Sequence, residues 1–347
     1  MKILVDGRVL KHECKTGVER YTIEILKAFD KIGVQYKLLF PFSKNRYFQH
    51  IWEHIMLPIN SKNYDILFCP GNICPIFKFK NVKYVVVIHD LAPIYYPQTY
   101  ARQYMFYYRL LTPLVIKVAD RIITCSETIK KEILKKYLIL ERKVVAIPNG
   151  INEEFLNRNQ QISSNKSQYI LYVGSLNPRK NLIGVLKAFQ KLLTKIPHHL
   201  YIVGGEFRIY AKDKNLKDLL EKLPKDRIKF LGYVTSDNEL KKFYVNSSCL
   251  IFPSFYEGSG LPPTEAMACG CPVIVSDIEA LRERCGDAAY YVNPYDIESI
   301  ANGIYQVITN ISLRETLIRK GFERVKNFSW ETTAKKILKV FEETLLQ

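Results

Sequence analysis

Glu257 and Glu265 bracket the stretch EGSGLPPTE (257–265), two carboxylates eight positions apart around two glycines and a Pro-Pro pair. Gly258 and Gly260 let backbone N–H groups approach a bound group closely, and Pro262 or Pro263 suits the first turn of a following helix. Glu265 is then expected in that first turn with its carboxylate facing a ligand, where it could accept two hydrogen bonds from vicinal hydroxyls such as those of a ribose. Glu257 could do the same for a sugar ring. A carboxylate pair also fits glycoside hydrolysis, which needs the two groups about 5–10 Å apart across the scissile bond. A loop committed to phosphate and helix-capping contacts suits that second chemistry less well.

In VGSLNPRKN (173–181), Gly174 leaves an apolar run, and Arg179 and Lys180 arrive just before a helix begun by Asn181. Two cations beside free helix N–H groups form an anion site that a diphosphate fits, although the stretch alone also reads as a solvated basic loop. His89, with Asp90 beside it, ends VVVIHDLAP (85–93). A histidine there is a structural hydrogen-bonder unless it faces a sugar-phosphate cleft, where it becomes a contact or catalytic group. Gly17 in KTGVERYT (15–22) starts a helix, and its missing side chain would let that loop close over a ligand. TCSE (124–127) and IVGGE (202–206) are further tight turns at strand ends.

The elements that must position these residues alternate along the chain. Strand-like runs KILVD, YKLLF, DILFCP, YVVVIHD, RIITCS and VVAIP precede a polar stretch, Asn157–Gln168. The pattern then restarts with YILYVGS, LYIVGG, IKFLGY, CLIFPS, PVIVSD and AAYYVN. Intervening stretches such as NLIGVLKAFQKLLTKI carry apolar residues at helical spacing. Repeated strand–helix alternation predicts an α/β fold of two Rossmann-like parallel-sheet domains facing across a cleft. Their expected extents are 1–155 and 168–328, with a final helix 329–347, capped by Ser329, crossing back to the first. Each candidate residue then lies at a strand's C-terminal end, where open α/β sheets bind ligands.

The 347 residues suit two domains, and 48% hydrophobic with 24% charged residues is a folded, soluble composition. No apolar run approaches the roughly 18 residues of a membrane span, and MKILVDGRVL is too short for a signal-peptide core, so a cytoplasmic location is expected. The eight cysteines form no CxxC pair, and Cys269 with Cys271 offers too few ligands for zinc, so no metal site is expected. The net charge of +17 calls for a partner or surface. Residues 97–150 hold ten Lys/Arg against four Asp/Glu and include RQYMFYYRLLTPLVIKV, which suits an anionic membrane surface or, as readily, a buried helix next to a solvated one. No nucleic-acid-binding motif accompanies the charge. A dinucleotide-dependent oxidoreductase would need G-x-G-x-x-G after the first strand, where KILVDGRVL offers one glycine. A non-catalytic basic interaction module would not need clustered glycines and acids.

Taken together, EGSGLPPTEAMACGCPVIVSD, LYVGSLNPRKN, VVVIHDLAP, ADRIITCSE and VVAIPNGI, in that family's order, resemble the GT-B fold retaining glycosyltransferases of family 4, whose mark is E-x7-E. The resemblance spans essentially the whole chain. It implies a nucleotide-diphosphate sugar as donor, no other cofactor, and a glycan or lipid-linked acceptor. By that resemblance Arg179 and Lys180 bind the donor diphosphate and Glu265 the ribose. Glu257 and the amides of Ser259 and Gly260 face the transferred sugar, with Gly174, Val234, Gly258 and Leu261 also lining the donor. His89 contacts sugar or acceptor, and Gly17 nears the diphosphate from the other domain. Ser259 stands where many members have Phe, and Ser175 where some have Arg, so phosphate binding falls mainly to Arg179 and Lys180.

Overall fold

Strands buried on both faces read as continuous apolar runs rather than alternating ones. Six such runs form the first sheet, β1 (Ile3–Asp6), β2 (Tyr36–Leu39), β3 (Ile66–Cys69), β4 (Lys83–Ile88), β5 (Arg121–Thr124) and β6 (Val144–Ala146). Six more form the second, β7 (Tyr169–Val173), β8 (His199–Val203), β9 (Ile228–Gly232), β10 (Cys249–Phe252), β11 (Val273–Ser276) and β12 (Ala289–Val292). β1, β3, β5, β7, β10 and β11 are buried at every residue, whereas the edge strands β2 and β9 are only partly covered. The computed structural model describes residues 1–11, 17–43, 45–156, 167–205 and 214–347. Cys14, Lys15, Thr16, Glu206 and most of the polar stretch 157–168 lie outside the described residues.

Every described pairing within the sheets is parallel. The orders are β2-β1-β3-β4-β5-β6 and β12-β11-β10-β7-β8-β9. Each order reverses once, between β1 and β3 in the first sheet and between β7 and β10 in the second. The crevice beyond the strands' C-terminal ends at such a reversal is where doubly wound sheets hold ligands.

The chain divides into two units, Met1–Gly150 with Phe328–Gln347, and Ile151–Asn327. Residues 151–156 join the second unit because Phe155 is buried there, its ring 5.9 Å from that of Tyr244. The Trp330–Leu345 helix belongs to the first. Its cap is Ser329, whose hydroxyl accepts from the Thr332 N–H. Ile337, Val340 and Phe341 join Tyr21, Ile25 and Phe29 of the Gly17–Lys31 helix in one core cluster. Phe341 sits 5.2 Å from Phe68 and 6.2 Å from Phe29, ring to ring.

This docking requires Gly150, because a Cβ there would stand 2.2 Å from the Trp330 backbone nitrogen. Gly150→Ala is expected to lower stability by about 1–3 kcal/mol, the usual range for overpacking against groups that cannot retreat. Urea denaturation of the variant beside the parent checks this. An unchanged midpoint would mean that the terminal helix does not need this close approach.

Candidate functional site

In the second unit, the loops after β7 and β10 flank the reversal in strand order. Gly174 follows β7 directly, its N–H donating to the Val203 carbonyl (3.0 Å). A 3-10 turn, Pro178–Lys180, follows, capped by Asn177, whose side chain accepts from the Arg179 N–H (2.9 Å). Asn181 then takes the left-handed conformation (φ 58°) and caps the Leu182–Leu192 helix by accepting from Gly184 (3.1 Å). Its amide also donates to the Pro253 carbonyl (3.1 Å) and the Pro294 carbonyl (2.8 Å). The Phe255 N–H donates to the Arg179 carbonyl (2.9 Å). These bonds fasten the β7 loop to the β10 loop and so fix the cations relative to the first glutamate.

Sequence reasoning took Asn181 only as a helix start. Its bonds across 72 and 113 residues join the loops that follow β7, β10 and β12, a proximity that no local pattern shows.

Glu257 lies between the two cations. Its Oε1 is 2.6 Å from Lys180 Nζ and its Oε2 is 3.8 Å from the nearest Arg179 guanidinium nitrogen. Arg179 also donates to the Tyr256 carbonyl, and Lys180 Nζ stands 5.0 Å from the Phe252 ring centre. All three side chains are largely buried. Burial alone would raise the Glu257 pKa, but Lys180 and then Arg179 outweigh it and hold the carboxyl below its ordinary value. Stability from this ion pair is therefore present above the ordinary glutamate range near pH 4.3 and is lost as pH falls through the lower folded value. The stretch is therefore a buried +2/−1 cluster at a strand-order reversal, not the solvated basic loop that it also resembles when read alone.

Gly260 adopts φ +72° and starts the Leu261–Ala268 helix, with Pro262 in its first turn. A Cβ on Gly260 would stand 2.6 Å from Leu281 and would be strained at that φ. Gly258 is buried, and Ser259 and Leu261 are half-buried. Glu265 lies one turn further along than expected and is 3% exposed. Its Oε2 accepts from the Tyr244 hydroxyl (3.0 Å). Tyr244 is fully buried, so its O–H needs an acceptor inside the fold, and Glu265 supplies it. Glu257 and Glu265 therefore both sit in the interior rather than on an open surface. Val234 is half-buried in the turn after β9, the sheet's outer strand.

In the first unit, His89 follows β4 beside the reversal between β1 and β3. Its Nε2 is 2.7 Å from the Pro70 carbonyl, which fixes Nε2 as the protonated nitrogen and Nδ1 as the acceptor. Its N–H donates to Asn72 Oδ1 (2.7 Å), and its ring meets Tyr21 edge to face at 4.7 Å. Burial is the main reason its pKa lies below the ordinary histidine value, so the imidazole is neutral at pH 7. Gly17 is the exposed first residue of its helix, with open space where a Cβ would stand. The buried Cys271 thiol exchanges a hydrogen bond with the Ser247 hydroxyl (3.0 Å).

Two family models match. "Glycosyl transferases group 1" covers residues 153–324 and "Glycosyltransferase Family 4" covers 51–155. Among curated proteins, the chain is 28% identical to the O-antigen chain mannosyltransferase B of Escherichia coli over 74% of its own length and 70% of that protein. It is 35% identical to the O-antigen chain mannosyltransferase RfbU of Salmonella typhimurium over 64% of its own length and 60% of that protein. The structure resembles that of sucrose-phosphate synthase from Thermosynechococcus elongatus (TM-score 0.76, 18% identity), covering 99% of this chain and 98% of the other. It also resembles Anabaena HepE in complex with UDP-glucose (TM-score 0.74, 18% identity), covering 99% and 100%.

Proposed function

Since the chain belongs to the GT-B glycosyltransferases of group 1 and family 4, we propose that it moves a hexose, with retention, from a nucleotide-diphosphate sugar to a glycan or lipid-linked acceptor in surface polysaccharide synthesis. The observation carrying this reading is the Arg179–Lys180–Glu257 cluster at the reversal between β7 and β10. A diphosphate arriving there meets two positive side chains on a rigid turn beside a helix N-terminus. As the bond from the anomeric carbon to the phosphate oxygen breaks, negative charge gathers on the departing diphosphate. Arg179 and Lys180 neutralise it, a task that falls to a metal ion in other transferases. The freed phosphate oxygen takes the proton of the acceptor hydroxyl, whose oxygen bonds the anomeric carbon from the same face. Retention follows without a dedicated protein base. Glu257, adjoining the cations, is placed to meet the sugar as positive charge develops at the anomeric carbon. Neutral His89 offers Nδ1 to a sugar or acceptor hydroxyl.

Mannose is the favoured sugar because both curated relatives above are named as mannosyltransferases. A thermal-shift screen with GDP-mannose, UDP-glucose, GDP and UDP tests the reading. At about 100 times its Kd the cognate donor should add about 2.7 kcal/mol of stability. GDP-mannose is expected to give the largest rise in Tm, and a larger rise with UDP-glucose would change the sugar while leaving the chemistry. No rise with any of the four, followed by none across a wider set of nucleotide sugars, would remove donor binding from this chain.

A further inference from the structure

Helical residues 46–61 turn Trp52 and Leu57 into the interior of the first unit, and the Arg102–Val118 helix does the same with Leu111 and Val115. A surface helix normally presents polar residues on its other side. Here the outward side is apolar as well. Along the first helical run Phe48, Ile51, Ile55 and Ile59 recur every three or four residues and are 46–60% exposed. On the second helix Phe106 is 69% exposed and Leu110 58%, with Leu114 continuing the row.

The two rows belong to one surface because the hydroxyl of Tyr107, next to Phe106, is hydrogen-bonded to Nδ1 of His50, next to Ile51, at 2.6 Å. At the far end, Asp120 just beyond the second helix binds Lys78, and Phe77 and Phe79 on either side of that lysine are also exposed. Isolated exposed apolar residues need no explanation, but rows on adjoining elements indicate a binding face.

Charge selects the occupant. Residues 42–118 hold nine Lys/Arg against three Asp/Glu, and one of those acids, Glu53, is buried against Arg8 (3.0 Å). Arg102, Arg109 and Lys117 are exposed along the second helix, and Lys62 and Lys80 are exposed near the ends of the other two segments. A second copy of the chain would bring this positive face against itself. An anionic bilayer complements it, with the apolar rows entering the headgroup boundary and the cations meeting phosphates. Among the described residues no helix is long and apolar enough to cross a membrane, so these helices would lie in the interface plane.

We infer that the face formed by residues 46–61, 77–80 and 102–118 seats the first unit on an anionic lipid surface. The inference extends the reading of a lipid-linked acceptor by naming the surface from which such an acceptor would be taken, and its own support lies wholly within the first unit.

The test is cosedimentation of the full chain with vesicles of phosphatidylcholine alone or with about 30 mol% phosphatidylglycerol, from about 0.05 to 0.5 M salt. Binding is expected to the anionic vesicles only and to fall steeply with salt. Phe106→Glu with Leu110→Glu, and separately Ile51→Glu with Ile55→Glu, should each weaken it at least about tenfold at unchanged Tm, because the replaced side chains already face solvent. Wild-type protein left in the supernatant at low salt would overturn the inference, as would variants that bind like wild type. So would a dimer that these substitutions dissolve while vesicles go unbound. Nucleotide-induced thermal shifts are read separately. Vesicle binding without any nucleotide effect would sink the catalytic reading alone, and a nucleotide effect without vesicle binding would sink this one alone.

Discussion

Lys180→Ala is expected to weaken nucleoside diphosphate binding by about 30-fold or more, roughly 2 kcal/mol for a lost charge-assisted bond, and to lower transfer by a further factor of about 10²–10³. The second factor is larger because the departing diphosphate carries more charge in the transition state than in the bound donor. The substitution also leaves Glu257 buried without its nearer cation, Arg179 standing at 3.8 Å, and truncating one partner of a buried pair is itself destabilising. A second variant separates the two effects. In Lys180→Ala/Glu257→Gln the stranded carboxylate is gone, so stability should return towards that of the parent while nucleotide affinity stays low. Calorimetry with GDP and UDP, beside urea denaturation of both variants, decides the matter. Full affinity in the single variant would exclude Lys180 from the diphosphate site.

How far the sequence foretold this arrangement depends on the range of the interaction. The strands were legible because parallel strands are buried on both faces, and runs such as VVVI and CLIF have no polar alternation to confuse them. The glycine and proline punctuation of EGSGLPPTE gave the helix start correctly, since the left-handed φ at Gly260 is one that side chains rarely adopt. The crossover that puts β10 beside β7 was not legible, because alternation predicts parallel strands without fixing their order. Everything that depends on that adjacency was hidden with it. Lys180 and Glu257 are 77 positions apart and meet only because their strands are neighbours. Glu265 could not be seen to face the interior, because its partner Tyr244 comes from a separate helix, Asp237–Asn246. Along residues 48–59 the apolar periodicity is real, but periodicity cannot tell which of two apolar stripes faces the core.

Glu257→Gln separates the two glutamates most sharply. In the free protein Lys180 and Arg179 already have a counter-ion, so an arriving diphosphate must displace or share the Glu257 carboxylate. The amide removes that competitor at nearly the same size. The free variant should be less stable than the parent, because two largely buried cations have lost the carboxylate that lies between them. Nucleoside diphosphate should bind as tightly or more tightly and give a larger thermal shift than in the parent. Turnover should nonetheless fall about 10²-fold, because the carboxylate's proposed contact with the sugar matters most as positive charge develops at the anomeric carbon. The acid limb should change too. Parent stability falls as the pH drops below about 4.3 and Glu257 takes up its proton, and the variant lacks that contribution. Glu265→Gln is expected to behave differently, raising the donor KM with a smaller change in affinity for inorganic diphosphate, since its proposed contact is with the ribose. Tighter diphosphate binding together with slower turnover in Glu257→Gln is the combination a purely structural clamp would not give. Weaker nucleotide binding with kcat intact would assign Glu257 to holding the loops together and leave the chemistry to its neighbours.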